Sequence, residues 1–158
     1  MIKSDFHIHS KYSPDSLLSI DDLIRRCIAK RLGLIAITDH NAIQGALEAK
    51  EIAPFPVIVG EEVTTADGEL TGLFLKELVP KGLTAQETVK IIKAQGGLVS
   101  VPHPFDTFRR NVISESALSE IIMDVDIIEG FNARNTLNSA NNKAKTLALE
   151  HSKPITSV

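Results

Sequence analysis

Short apolar runs alternate along this chain with longer stretches in which apolar residues recur every three to four positions, the pattern of strands and helices in turn. An opening strand leads into Asp5-Phe6-His7-Ile8-His9. Ser19 followed by Asp21 and Asp22 is a helix start, a capping hydroxyl with acids in the first turn. The helix carries Ile20, Leu23, Ile24, Cys27 and Ile28 on one stripe, and Gly33 is placed to end it. Leu34-Ile35-Ala36-Ile37 then reads as a buried strand running into Thr38-Asp39-His40. A helix over 42–53 is stopped by Pro54, and a strand from Pro56 to Val59 ends at Gly60-Glu61-Glu62.

The second half repeats the scheme. A strand over 69–75 follows a turn at Asp67-Gly68, and Thr84-Ala85-Gln86-Glu87 is a capping box opening a helix that closes at Gly96-Gly97. Leu98-Val99-Ser100-Val101 is a strand leading into Pro102-His103-Pro104. A helix near 116–123 precedes the strand Val125-Asp126-Ile127-Ile128, which ends at Glu129. A long helix with Leu137, Ala140, Ala144, Leu147 and Ala148 on one stripe follows, and Pro154 to Val158 begins one more strand.

Strands that alternate with helices in this way build either an open doubly wound sheet or a closed barrel, and both collect functional groups at the carboxyl ends of their strands. His9, His40, Glu62, His103 and Glu129 all fall at such ends. An open sheet would place polar groups only beside its switch point, so contributions from nearly every strand argue for a barrel.

Composition narrows the setting. The 158 residues suit a single domain over 1–158, and 43% hydrophobic with 23% charged residues is ordinary for a globular chain. The net charge of −3 gives no general attraction to nucleic acid or anionic membrane. No apolar run reaches the roughly twenty residues that span a bilayer. A single cysteine, Cys27, excludes an intrachain disulfide and reads as a core residue, and the expected compartment is the cytoplasm.

The chemistry begins with Asp5, His7 and His9, which share one face of an extended strand. Imidazoles beside a carboxylate suit Zn, Mn or Fe. His40, Glu62 and His103 add groups of the same kind at later strand ends. Glu62 can serve two cations with its two oxygens, whereas Glu61 points the other way in a strand. His103, between two prolines, belongs on a rigid loop. Asp15, in Ser13-Pro14-Asp15-Ser16, reads equally as a turn aspartate satisfying backbone amides or as a ligand. Asp5 and Asp39 read as supports that orient a histidine or hold a strand end, and His151 as a surface residue late in a helix.

Together these segments resemble the motifs of the PHP superfamily, named for the domain found in polymerases and histidinol phosphatase. The likeness rests, in order, on Asp5-x-His7-x-His9-Ser10, Thr38-Asp39-His40, Gly60-x-Glu62-Val63, Pro102-His103-Pro104 and Glu129-x-x-Asn132-x-Arg134, and it runs over the whole chain. It implies an α/β fold, a distorted (β/α)7 TIM-like barrel with two or three divalent metal ions (Zn, Mn or Fe). Members are mostly phosphoesterases: histidinol and nucleotide phosphatases, exonucleases and proofreading domains. By that resemblance His7, His9, Asp15, His40, Glu62 and His103 are metal ligands. Members usually finish the site with a small residue, Asp, another residue and His. This sequence ends at Ser157-Val158, where that motif is expected to begin, so the resemblance implies a barrel lacking its C-terminal end. A further histidine of three-metal members has no counterpart between Glu129 and Asn132, which leaves the metal count open.

The expected activity is phosphoester hydrolysis by metal-activated water. Arg109 or Arg110, and Arg134, lie in strand-end loops where a guanidinium fork can bind a phosphoryl group. With six Phe, one Tyr and no Trp there is no evident platform for stacking bases. A small phosphorylated metabolite, nucleotide or short oligonucleotide is therefore the expected substrate, with no membrane and no obligate protein partner. The alternatives are a metal-dependent amidohydrolase, since activated water serves that reaction too, and an inactive metal-binding module.

Overall fold

A computed structural model describes residues 2–135 and 138–158. Among them the chain forms seven strands and five helices in the order β1 (Ser4–Ile8), α1 (Ile20–Ala29), β2 (Leu34–Ile37), α2 (Gln44–Ile52), β3 (Val57–Thr65), β4 (Gly68–Leu73), α3 (Ala85–Ala94), β5 (Leu98–Val101), α4 (Glu115–Ile121), β6 (Ile127–Phe131), α5 (Asn138–Glu150) and β7 (Ile155–Ser157). The strands form one sheet in sequence order, β1 to β7, curled until its two ends approach each other. This is the barrel-like α/β architecture that the strand-end residues predict.

The pleat divides the apolar side chains. Ala36, Ile58 and Leu73 point into the barrel, joined there by Phe6, Leu34, Leu98 and Ile127. Their strand neighbours Ile35, Ile37, Val57, Val59, Val99 and Ile128 point outward and pack with the helices. On α1 the buried stripe is Ile20, Leu23, Ile24 and Cys27. Ile28 is exposed instead, because eight residues after Ile20 the helix has turned it about 80° away. On α5, Ala140, Ala144 and Ala148 are buried as predicted, together with Asn141. Leu137 lies outside the described residues.

The helix ends follow their local chemistry, with one exchange. Thr84 and Glu87 form the predicted reciprocal capping box of α3. Gly96, at φ 79°, closes that helix with bonds from its own N–H to Lys93 and from Gly97 to Ile92. At α1, however, Arg31 rather than Gly33 takes the left-handed position, at φ 57°. The N–H groups of Arg31 and Leu32 bond to Ile28 and Cys27, so the helix is already closed two residues before the glycine.

The sheet is mainly parallel, with an antiparallel strand in its middle. β3 does not stop at Glu62 but continues to Thr65, and β4 returns antiparallel beside it. The loop between them is too short for the crossover that a parallel pair requires. β4 is antiparallel to β5 as well, while β1, β2 and β3 on one side and β5, β6 and β7 on the other pair in parallel. Likewise β6 runs through Glu129 to Phe131. Both glutamates are therefore held by strand backbone on either side. The functional end of the barrel is built partly from this extended hairpin. No helix of the described residues is long and apolar enough to cross a membrane.

Candidate metal centre

Glu62 stands at the middle of the site. It is inaccessible to solvent, and pairing of β3 with β4 sets it opposite Thr71 on the barrel's inner face. Its Oε2 lies 3.2 Å from His7 Nε2, 3.0 Å from His9 Nε2 and 3.4 Å from His40 Nδ1. Its Oε1 lies 3.0 Å from His103 Nε2. Two three-residue groups result, His7 with Glu62 and His103, and His9 with His40 and Glu62. Glu61 faces the other way, as the alternation of a strand requires. Its Oε2 accepts a hydrogen bond from the Val79 N–H, and burial pushes its carboxyl up to about 7.

The imidazoles are oriented from behind. His7 Nδ1 lies 2.8 Å from Glu129 Oε2, and His9 Nδ1 lies 2.9 Å from Asp15 Oδ1. An ionised carboxylate only accepts, so these contacts place the ring protons on Nδ1 and leave the Nε2 lone pairs facing inward. Those two Nε2 atoms are 3.1 Å apart, with Glu62 Oε2 in contact with both. Three electron-rich atoms this close repel one another unless a proton or a cation lies among them. Nitrogen and oxygen ligands about 2.0–2.1 Å from a tetrahedral zinc would lie only slightly farther apart. The donor set and its spacing therefore fit a divalent cation.

In the metal-free protein a proton takes the place of that cation. Burial opposes charge on His7, yet Glu129 and Glu62 overcome it and push the ring up to about 10. Burial likewise opposes ionisation of Glu62, but hydrogen bonds from His103, His7 and His9 hold its carboxyl well below the usual range. Burial and the neighbouring charge of Glu62 instead raise Glu69. A pocket with several buried carboxylates attracts positive charge, and cations can supply it.

Two of the carboxylates in this assembly were not among the predicted ligands. Glu69 comes from the returning strand β4, with Oε1 3.6 Å from His40 Nδ1 and Oε2 3.9 Å from His103 Nε2. Its period-two relation to Thr71, which pairs with Glu62, was the available signal, visible only once the hairpin register was known. Glu129 was visible as a strand-end acid. Its Oε1 accepts from the His103 N–H and from Asn132 Nδ2, so the acid joins three motif segments.

The structure brings His7, His9, His40, Glu62 and His103 together. Asp15 stands outside both groups of three, against His9 and with Oδ2 3.9 Å from His40 Nε2. Asp5 accepts from the His7 N–H. Asp39 accepts from the backbone and hydroxyl of Ser10, fixing the loop after β1. His103 is buried with φ 29°, a conformation that costs on the order of 1–3 kcal/mol and persists only where the surroundings impose it. The groups open into a cleft of about 300 Å³ bordered by Asp5, Asp15, Arg109 and Arg134. Arg110 is exposed and borders only a neighbouring depression, whereas Arg109 borders both that depression and this cleft. His151 is exposed just beyond α5.

Known proteins resemble this chain in sequence and in fold. Residues 5–95 match the family model described as PHP domain. An uncharacterized protein of Methanocaldococcus jannaschii is 38% identical over 158 aligned residues, covering 90% of this chain and 89% of that one. A second from the same organism is 37% identical over 139 residues, and the match covers 84% of this chain but only 54% of its relative. Two solved structures share the fold at 17% identity. One, a proposed metal-dependent phosphoesterase from Bifidobacterium adolescentis, has a TM-score of 0.79, with 99% of this chain and 86% of that one covered. The other, an amidohydrolase from Chromobacterium violaceum with bound sulfate and no metal, has a TM-score of 0.76, with 98% and 86% covered. The family match, the long relative and the histidine-glutamate arrangement lead to one conclusion: this chain belongs to the PHP domain family.

Proposed function

We propose that this protein is a metal-dependent phosphoesterase acting on a small phosphorylated metabolite, nucleotide or short oligonucleotide. The observation that carries the reading is the pair of histidine groups sharing Glu62, opening into a cleft that Arg109 and Arg134 border. His7, His103 and Glu62 would hold one cation, and His9, His40 and Glu62 a second, with Asp15 beside the latter. Divalent cations held there supply positive charge to phosphoryl oxygens and acidify a water nucleophile.

The chain's own residues do the rest. Glu129 and Asp15 hold one ring proton of His7 and His9 on Nδ1 and aim the Nε2 atoms inward, where a cation would take the place of a second proton. Burial of Glu62 keeps water from competing for its oxygens. Arg109 and Arg134 offer planar donor arrays to an anion whose negative charge is spread over several oxygens. An amide substrate carries no such charge, and this favours phosphoester over amide hydrolysis.

The test is a substrate panel on protein loaded with Mn²⁺ or Zn²⁺, comprising phosphomonoesters, nucleotides, short oligonucleotides and simple amides. Phosphate release that disappears in Glu62→Gln is expected. Amide cleavage without phosphate release would overturn the reading in favour of an amidohydrolase. Bound metal with no turnover of any substrate would favour an inactive metal-binding module.

A further inference from the structure

The segment after His103 carries an arrangement that the metal groups do not explain. Asp106 is almost completely buried, three residues beyond His103 and three before Arg109. Its N–H bonds to the His103 carbonyl, and its own carbonyl accepts from the Arg109 N–H, both at 3.3 Å. Its carboxylate is divided between two tasks. Oδ1 accepts from the Phe108 N–H at 3.0 Å, and Oδ2 accepts from Arg109 Nε at 3.1 Å. Two successive tight turns thus link a histidine of the metal groups to an arginine of the cleft, with a buried acid between them.

The far end of the segment is anchored as well. Asn111 accepts from the Glu69 N–H through its carbonyl at 2.7 Å and donates from Nδ2 to Glu69 Oε1 at 3.2 Å. The Ser114 N–H bonds to the Asp67 carbonyl at 2.9 Å. Gly68, at φ 126°, lies so close to Ile113 that any side chain there would collide with the Ile113 backbone. The loop bearing Arg109 is therefore fixed to the barrel on both sides.

We propose that Asp106 is a positioning residue for anion recognition, holding Arg109 by Nε so that both Nη groups face a phosphoryl group in the cleft. The proposal rests on the reading of that cleft as a phosphoester site. Nε is the inner donor of the guanidinium, and engaging it fixes the plane of the group. Among the described residues no protein acceptor takes the Nη groups, which remain for a ligand. Lysine at 109 could keep the charge but could not donate to Asp106 and to an oxyanion in one fixed plane.

The experiment measures inorganic phosphate binding to the Mn²⁺-loaded protein by calorimetry, with KM and kcat for p-nitrophenyl phosphate alongside. Asp106→Asn keeps an oxygen for the Phe108 N–H but removes the charge facing Arg109. It should weaken phosphate binding and raise KM by about 10-fold, with kcat and metal content close to wild type. Added to Arg109→Ala, it should cause no further loss. Guanidinium ion should restore phosphate binding to Arg109→Ala and fail to do so in the double variant. Wild-type affinity in Asp106→Asn, additive losses, or loss of metal with the substitution would overturn the proposal while leaving the phosphoester reading intact. Metal-loaded wild type that binds no phosphate would overturn both. Should Asp106→Asn fail to fold, Arg109→Lys decides: binding as weak as in Arg109→Ala supports the proposal, and wild-type binding overturns it.

Discussion

The two histidine groups use the same chemistry at different depths. In the inner group His7 and His103 have side chains 10% and 0% exposed, and the supporting Glu129 is 3% exposed. In the outer group His9 and His40 are 12% and 19% exposed, and the supporting Asp15 is 42% exposed. Glu129 is itself held by Asn132 and the His103 backbone, whereas Asp15 is held by Ser13 in a surface loop. Charge interactions weaken where solvent screens them, and loop groups move more easily than strand groups. The difference teaches that a shared ligand does not make two positions equal: a cation in the inner group would be shielded from solvent, and one in the outer group would be open to exchange.

Removing the shared residue should erase the difference. Glu62→Gln is expected to reduce bound metal to near none, read by elemental analysis after dialysis. Retention of either equivalent would show that the groups do not depend on it. Next in size come the single-group variants. His103→Asn should abolish the slowly exchanging equivalent, and His40→Asn the rapidly exchanging one. In wild type, a chelator should therefore remove metal in two kinetic phases, and a single phase would break the comparison.

The supporting acids should give a smaller, graded effect. Glu129→Gln should weaken the inner cation by roughly 10- to 100-fold, the range usual for residues that orient a ligand. Asp15→Asn should weaken the outer one less, because its carboxylate is already partly screened. Competition with a chromogenic chelator measures both, and equal losses would remove the distinction between buried and exposed support.

The smallest effect on metal is expected at Glu61, one residue from the shared ligand but on the opposite face. Its folded carboxyl is raised to about 7 against an ordinary value of 4.5, so the folded state favours the protonated form. The resulting penalty is absent below the unfolded value, grows between pH 4.5 and 7, and is complete above pH 7. Glu61→Gln should thus stabilise the metal-free protein by up to about 3 kcal/mol at pH 8 and by little at pH 4.5. Thermal melts at the two pH values check this, and metal stoichiometry should not change. A gain that is equal at both would show that ionisation is not its cause.

Much of this was legible in the chain because it is local. The capping box at Thr84, the stripe of α1 and the short apolar strands depend on neighbours within a few residues. The histidines were legible because each ends or follows such a strand. The reach of β3 and β6 past Glu62 and Glu129 was not, since it depends on partners that supply the next hydrogen bonds. Glu69 escaped for the same reason, as its strand reads from sequence as another apolar run. Arg109 and Arg110 could not be separated, because adjacent loop residues carry no period. Asp106 decides between them, through contacts no pattern encodes.

The sequence by itself therefore determined the alternation of strands and helices, the family motifs and five of the groups that meet at the site. Short-range periodicity and side-chain chemistry suffice for these. Only the tertiary structure decided that β4 runs antiparallel, that Glu69 and Glu129 join the centre, that Asp15 stands behind His9, and which arginine turns to the cleft. Those outcomes depend on strand register and barrel closure, which bring together atoms from segments as distant in sequence as His7 and Glu129.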